Sequence, residues 1–259
     1  MKIYRIGAVA LATVLLFSGC ATSISLPVTA AAPVMARTLT VFAAASLKST
    51  ITELATEFEK ANPGVTVALN FAGSADLVSQ ITEGAPADVA ALADTKNMAK
   101  LTDASLVLGA PVLFASNTLE IAVPPGNPAR ISSFQDLAKP GLRLVICAPA
   151  VPCGAAAAVV AKGSGVTLAP VSEESAVSGV LGKVTSGEAD AGLVYVTDIK
   201  SAGSKVIGIT FPESATAVNH YPIGALSAAT QPELAAAFIA LVTGASGQGV
   251  LAAAGFGTP

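Results

Sequence analysis

Ser46, Ser74 and Cys153 each stand where an apolar, strand-like run gives way to a helix-like one, in the segments TVFAAASL, FAGSADL and VPCG. The first turn of a helix leaves backbone N–H groups without intrahelical partners, and a serine at the junction adds a hydroxyl beside them. Such a junction suits an anion held by hydrogen-bond donors rather than by a counter-charge. Two further donors fit the same chemistry. One is Val177, near the start of a helical stretch; the other is Tyr195, at the end of the apolar run AGLVY, through its O–H. Taken singly, each has a plainer role, as a helix cap or a core aromatic. What sets them apart is the repetition of one design, because parallel sheets gather strand-to-helix turns at one end.

The elements that would position these residues alternate along the chain. Thr38 to Phe42 reads as a buried strand, and Leu47, Ile51, Leu54 and Phe58 recur at helical spacing behind it, which places Ser46 at an N-cap. A second strand covers Val65 to Phe71, and a helix with Leu77, Val78 and Ile81 follows Ser74 and stops at Gly84 before Pro86. Asp88 to Leu92 reads as a strand, Thr95 to Leu101 as a short helix and Thr118 to Val123 as a further strand ending at PPGNP. A second unit opens with Leu142 to Ile146 and runs into CAPAVPCG. It continues through an Ala-rich helix from Gly154 to Lys162, a helix from Glu174 to Glu188, and strands over Ala191 to Val196 and Val206 to Phe211. Asn219 to Leu226 reads as a strand leading back, and Pro232 to Val242 as a terminal helix. This order predicts an α/β protein of two lobes with mostly parallel sheets, two crossovers and a ligand cleft between them. Lobe 1 is expected to comprise 38–117 plus 222–259, and lobe 2 to comprise 118–221.

The N-terminus reads as a targeting segment. Lys2 and Arg5 precede an apolar stretch from Ile6 to Phe17, and the segment closes on LLFSGC, which makes Cys20 the expected lipidation site of a lipoprotein signal. An ordinary cleaved signal with a cut near Ala36 is the alternative. Residues 21–37, rich in Ser, Thr and Ala and interrupted by Pro27 and Pro33, read as a flexible tether reaching on the order of 25 Å. Either reading puts the mature protein outside the cytoplasm, and lipidation would anchor it to the cell membrane.

Charge narrows the function classes. Of 14 basic residues, 12 remain without Lys2 and Arg5, against 17 acidic ones, a net of −5. That balance argues against nucleic-acid binding, which wants a basic face. With no Trp and a single His, His220, histidine catalysis and metal ligation have little to draw on. Cys147 and Cys153, six residues apart in CAPAVPC, are either bridged in an oxidising compartment or two buried thiols. A bridge across so short a loop would add roughly 2 kcal/mol. The glycine cluster GASGQG follows no strand, so it lacks the setting of a nucleotide loop.

TVFAAASL, FAGSADLVSQI, GAPADV, VPCG, GLVYVTD and YPIG, in that order, resemble the extracytoplasmic molybdate-binding proteins of bacterial ABC importers over essentially the whole mature chain. The resemblance implies a type II periplasmic-binding-protein fold whose two lobes close on a tetrahedral oxyanion. It implies no cofactor, no direct metal ligand, no catalysis, and a monomer that delivers its cargo to a membrane permease. Carried over residue by residue, the ligand set is Ser46, Ser74 and Tyr195 through hydroxyls, with Cys153 and Val177 through backbone N–H groups. Many relatives have alanine at the position of Cys153 and serine at that of Gly73. A backbone donor survives either change, and a Cys147–Cys153 bridge would hold the Cys153 turn in place.

A donor-only site also explains selectivity. It rejects hydrogen phosphate, whose own O–H needs an acceptor, and leaves size to separate molybdate and tungstate from sulfate. Another oxyanion, such as sulfate or thiosulfate, is the nearest alternative ligand. An organic carboxylate would call for an arginine clamp, and Arg37, Arg130 and Arg143 lie in no candidate turn. Ferric iron would want paired tyrosines, of which the mature chain offers Tyr195 and Tyr221. A secreted hydrolase would need a base for its serine, but no G-x-S-x-G elbow is present.

Overall fold

The computed structural model describes residues 36–259. The expected signal, the lipidation site Cys20 and nearly all of the expected tether lie outside the described residues. The chain builds two five-stranded sheets of matching topology. In the first, β1 (Arg37–Ala44) is flanked in parallel by β2 (Val65–Ala72) and β3 (Val89–Ala91), followed by β10 (Asn219–Ala225) and then β4 (Val112–Asn117) at the edge. In the second, β6 (Leu144–Cys147) is flanked in parallel by β7 (Ser172–Glu174) and β8 (Ala191–Tyr195), followed by β5 (Leu119–Val123) and β9 (Ile207–Ile209). β10 and β5 run antiparallel to both their neighbours. Four strands of each sheet therefore share a direction, and the one that opposes them arrives from the other sheet.

The crossings are short at one end and longer at the other. Thr118 alone separates β4 from β5, while residues 210–218, including a 3-10 turn at Pro212–Thr216, lead from β9 back to β10. The return strand pairs with β4 from Asn219 and with β3 over Ile223–Ala225, so sheet one takes up the chain three residues before 222.

Strand alternation divides the first core. Leu39, Val41 and Ala43 of β1 point into a cluster with Ile51, Leu54 and Phe58 of α1 (Lys48–Ala61). The same cluster includes Phe238 of α7 (Pro232–Thr243) and Leu251 of α8 (Ala245–Ala254). Phe42 points the other way, to Leu77 and Ile81 of α2 (Ser74–Thr82) and Met98 of α3 (Thr95–Asp103). In the second lobe α4 (Pro152–Ser164) and α5 (Val177–Thr185) cover the sheet with Ala157, Val160, Val180 and Val184, and α6 (Val196–Ala202) follows β8. Among the described residues no single helix is long and apolar enough to cross a membrane.

Two local expectations are corrected. Ser46 is not an N-cap: it lies inside a 3-10 turn, Ala45–Leu47, and Leu47 caps α1. The helix expected from Glu174 begins at Val177, because Ser172–Glu174 pairs with Val145–Cys147 as an edge strand. GASGQG falls largely within α8.

Asp88 of the GAPADV segment locks the first lobe together. Its carboxylate accepts from the backbone N–H groups of Thr40 (2.8 Å), Thr230 (2.6 Å) and Gln231 (3.0 Å), joining β1 to the chain that leads into α7.

Candidate functional site

The strands of both sheets end at one cavity. β1 delivers Ser46 through its 3-10 turn, β2 delivers Gly73 and the first residue of α2, Ser74, and β8 delivers its last residue, Tyr195. From the second lobe come Val177, the first residue of α5, and Cys153, the second of α4. All five residues singled out in the sequence line this one small cavity. No Lys, Arg, His, Asp or Glu side chain is among its lining residues.

Each position supplies a donor for a local reason. Ser74 and Val177 open their helices, and Cys153 follows Pro152 at the start of α4, so their N–H groups fall in turns without intrahelical acceptors. Pro152 at the first helical position gives up an N–H that the helix would not have used. Ser74 Oγ accepts from Ala93 N–H at 3.0 Å, which leaves the serine proton unspent. Ser46 Oγ lies 3.0 Å from the hydroxyl of Tyr221. Tyr195 is 1% exposed, and its hydroxyl has no hydrogen-bond partner. A buried phenol without a partner carries a desolvation penalty that a bound acceptor would relieve. Burial also pushes the Tyr195 phenol well above its ordinary value, so it stays protonated and can donate.

The Cys153 turn is covalently fixed. Cys147 at the end of β6 and Cys153 form a disulfide with Cα atoms 5.7 Å apart, both side chains buried. Gly154 makes this packing possible: a Cβ there would come within 2.0 Å of the carbonyl oxygen of Ala148. The loop also reaches across to the first lobe, where Asn97 Nδ2 lies 3.5 Å from the carbonyl of Ala150.

The lobes meet around the cavity. Ala45 of the first lobe packs against the core of the second. Gly73 faces the backbone of Ser175 and Ala176 so closely that no side chain fits between them. Behind the cavity, Asn117 at the short crossing donates to Thr197 Oγ1 at 2.8 Å and accepts from Thr118 N–H at 3.0 Å. Asn219, where β10 begins, donates to the carbonyl of Ala93 at 3.0 Å.

Sequence reasoning singled out Tyr221 only as half of an iron-binding pair. The structure packs it edge-to-face with Tyr195, ring centroids 6.1 Å apart, and turns its hydroxyl to Ser46. No group of three or more His, Cys, Asp or Glu side chains able to hold a metal ion occurs among the described residues. His220 is exposed on β10. The signal that could have found Tyr221 is the YPIG strand itself, whose alternation puts Tyr221 and Ile223 on the core face.

Residues 39–257 match the model of the family described as bacterial extracellular solute-binding protein. The chain is similar to the molybdate-binding protein ModA of Mycobacterium tuberculosis (strain ATCC 25618 / H37Rv), 49% identical over 224 residues that cover 86% of each chain. It is also similar to the molybdate-binding protein ModA of Escherichia coli (strain K12), 35% identical over 196 residues, 71% of this chain and 76% of the relative. Among solved structures, the periplasmic molybdate-binding protein of Azotobacter vinelandii matches with a TM-score of 0.76 at 25% identity, covering 85% of this chain and 99% of that one. The sulfate-binding protein SubI of Mycobacterium tuberculosis matches with a TM-score of 0.69 at 21% identity over 85% of this chain and 86% of that one, a likeness of fold alone.

Proposed function

This chain belongs to the family of bacterial extracellular solute-binding proteins, and from that premise we propose that it captures molybdate, and tungstate with it, for an ABC importer. It works outside the cytoplasm as a binding protein, not as an enzyme. The observation that carries the reading is the uncharged cavity lined by Ser46, Ser74, Cys153, Val177 and Tyr195, with the Tyr195 hydroxyl buried and unpaired. A dianion would be held there by three hydroxyls and by the N–H groups at the starts of α2, α4 and α5. Charge-assisted hydrogen bonds contribute about 1.5–3 kcal/mol each. Several of them, less the costs of desolvation and closure, are enough for sub-micromolar binding.

The ligand assignment draws on the sequence likeness, since the same fold also serves a sulfate-binding protein. Selection by size fits the geometry: donors on two lobes that meet at a fixed distance reach the larger anion together and the smaller one only in part. Attachment through a lipid on Cys20 and delivery as a monomer to a membrane permease complete the reading. Isothermal titration calorimetry with molybdate, tungstate and sulfate in separate runs tests it. Sub-micromolar binding of the first two at one site per chain, with sulfate silent, is expected; tight sulfate binding, or none by any of the three, overturns it. Mass spectrometry of the membrane-extracted protein tests the anchor, which predicts a diacylglycerol-modified Cys20 at the N-terminus.

A further inference from the structure

The cavity has donors, but a serine hydroxyl is not by nature a donor: it has one proton and two lone pairs, and it rotates. Something outside the cavity has to fix which of these faces the ligand. For Ser74 the backbone does so, because the N–H of Ala93 can only donate and therefore takes up a lone pair of Ser74 Oγ. Ser46 has no such backbone partner. Its hydroxyl meets Tyr221, on the return strand β10, at 3.0 Å.

We infer that Tyr221 is the positioning residue that keeps Ser46 a donor, and so determines that the site admits fully deprotonated oxyanions and excludes protonated ones. The inference rests on the oxyanion reading above. A phenol is a stronger hydrogen-bond donor and a weaker acceptor than an alcohol, so the proton between them belongs to Tyr221. The hydroxyl of Tyr195 lies on the neighbouring ring and has no hydrogen-bond partner, so it does not take that proton instead. With Tyr221 donating, the one proton of Ser46 stays free for an anion in the cavity. Were Ser46 to donate to Tyr221, only its lone pairs would face the anion. Tyr221 is held for this task. It is fully buried, with Phe114 and Phe256 edge-on to its ring at centroid distances of 6.3 Å and 5.3 Å. It does not line the cavity, so it acts through Ser46 and not on the ligand.

Sulfate and hydrogen phosphate separate this role from a merely structural one. They are alike in size and charge, but only hydrogen phosphate brings a proton that needs an acceptor. In Tyr221→Phe, Ser46 is free to turn a lone pair to the cavity. On purified wild-type and Tyr221→Phe protein at pH 8, molybdate is read by calorimetry, and sulfate and hydrogen phosphate, which bind too weakly for direct titration, by competition at millimolar concentration against bound molybdate. The expected result is about a tenfold weaker affinity for molybdate and about a tenfold rise in the affinity for hydrogen phosphate relative to sulfate. An unchanged ratio, or equal gains by both small anions, overturns the inference while leaving the wild-type ligand assignment intact. A wild-type protein blind to all three anions overturns the oxyanion reading and this inference with it. Neutron diffraction from deuterated wild-type crystals gives a second test, independent of how the variant folds. The Tyr221 deuteron should point at Ser46 Oγ, and the reverse orientation overturns the proposal.

Discussion

Gly73 in the first lobe lies so close to Ser175 in the second that a Cβ on Gly73 would stand 1.9 Å from the Ser175 carbonyl oxygen. The backbone at Gly73, with φ −63° and ψ 144°, suits any residue. The constraint therefore belongs to the meeting of the lobes and not to the local chain. Gly73→Ala should fold and melt as the wild type does without ligand, yet hold its lobes apart by on the order of 1–2 Å at this point, given ordinary contact distances. Donors on opposite lobes then cannot reach one anion together. Molybdate affinity should fall at least tenfold in calorimetry, with the ligand-free melting temperature unchanged; full affinity in the variant would show that the contact does not limit closure.

The Cys147–Cys153 disulfide should matter twice. Opening so short a loop removes roughly 2 kcal/mol of stability. It also frees the turn that carries the Cys153 N–H and the Ala150 carbonyl near Asn97. Cys147→Ser, or wild type in excess reductant, should lose both melting temperature and ligand affinity. Added reductant should have no further effect on Cys147→Ser.

Tyr195→Phe separates stability from binding. The hydroxyl it removes has no partner among the protein's own groups, so the protein without anion should melt at nearly the same temperature. The bound anion loses a charge-assisted donor worth about 1.5–3 kcal/mol, a loss of roughly ten- to 150-fold in affinity. A drop in ligand-free stability would mean that the hydroxyl has a structural partner after all.

Asp198, the third residue of α6, accepts from the N–H of Tyr195 at 2.9 Å and is otherwise buried, which raises its carboxyl from 3.8 to about 7. Burial outweighs the opposing hydrogen bond. Because the folded-state value lies above the unfolded one, the folded state binds the extra proton between them. Its contribution to stability is complete below about pH 4 and is lost as pH rises through 7, at no more than about 1.4 kcal/mol per pH unit. Thermal melts from pH 5 to 8.5 should fall more steeply for wild type than for Asp198→Asn. Parallel curves would place the carboxyl in a better-solvated setting.

Much of this was legible in the chain because the site is made at junctions. A buried strand followed by a small residue and an amphipathic helix is a local pattern, and Ser74, Cys153 and Tyr195 all sit in one. What resisted reading depends on contacts between distant residues. Ser46 looked like a helix cap because a 3-10 turn of three residues leaves no periodic trace. Glu174 looked helical because SEES has no strand preference of its own; pairing with Val145–Cys147 makes it an edge strand. Tyr221 meets Ser46 across 175 positions of sequence, through a register that only the assembled sheet fixes. The closeness of Gly73 to Ser175 likewise exists only once two separate lobes have been brought together.

The exchange of strands between the sheets also orders how the molecule can be made. Strands β5 to β9 are contiguous in the chain, so the second lobe contains every strand of its own sheet. In the first sheet, β10 sits between β3 and β4, and neither has that neighbour until residue 219 has emerged. A chain threaded outward from its N-terminus thus exposes the beginning of the first lobe early and can complete it only at the end. The lobe that starts first finishes last, its sheet held open through most of synthesis by the absence of one interior strand.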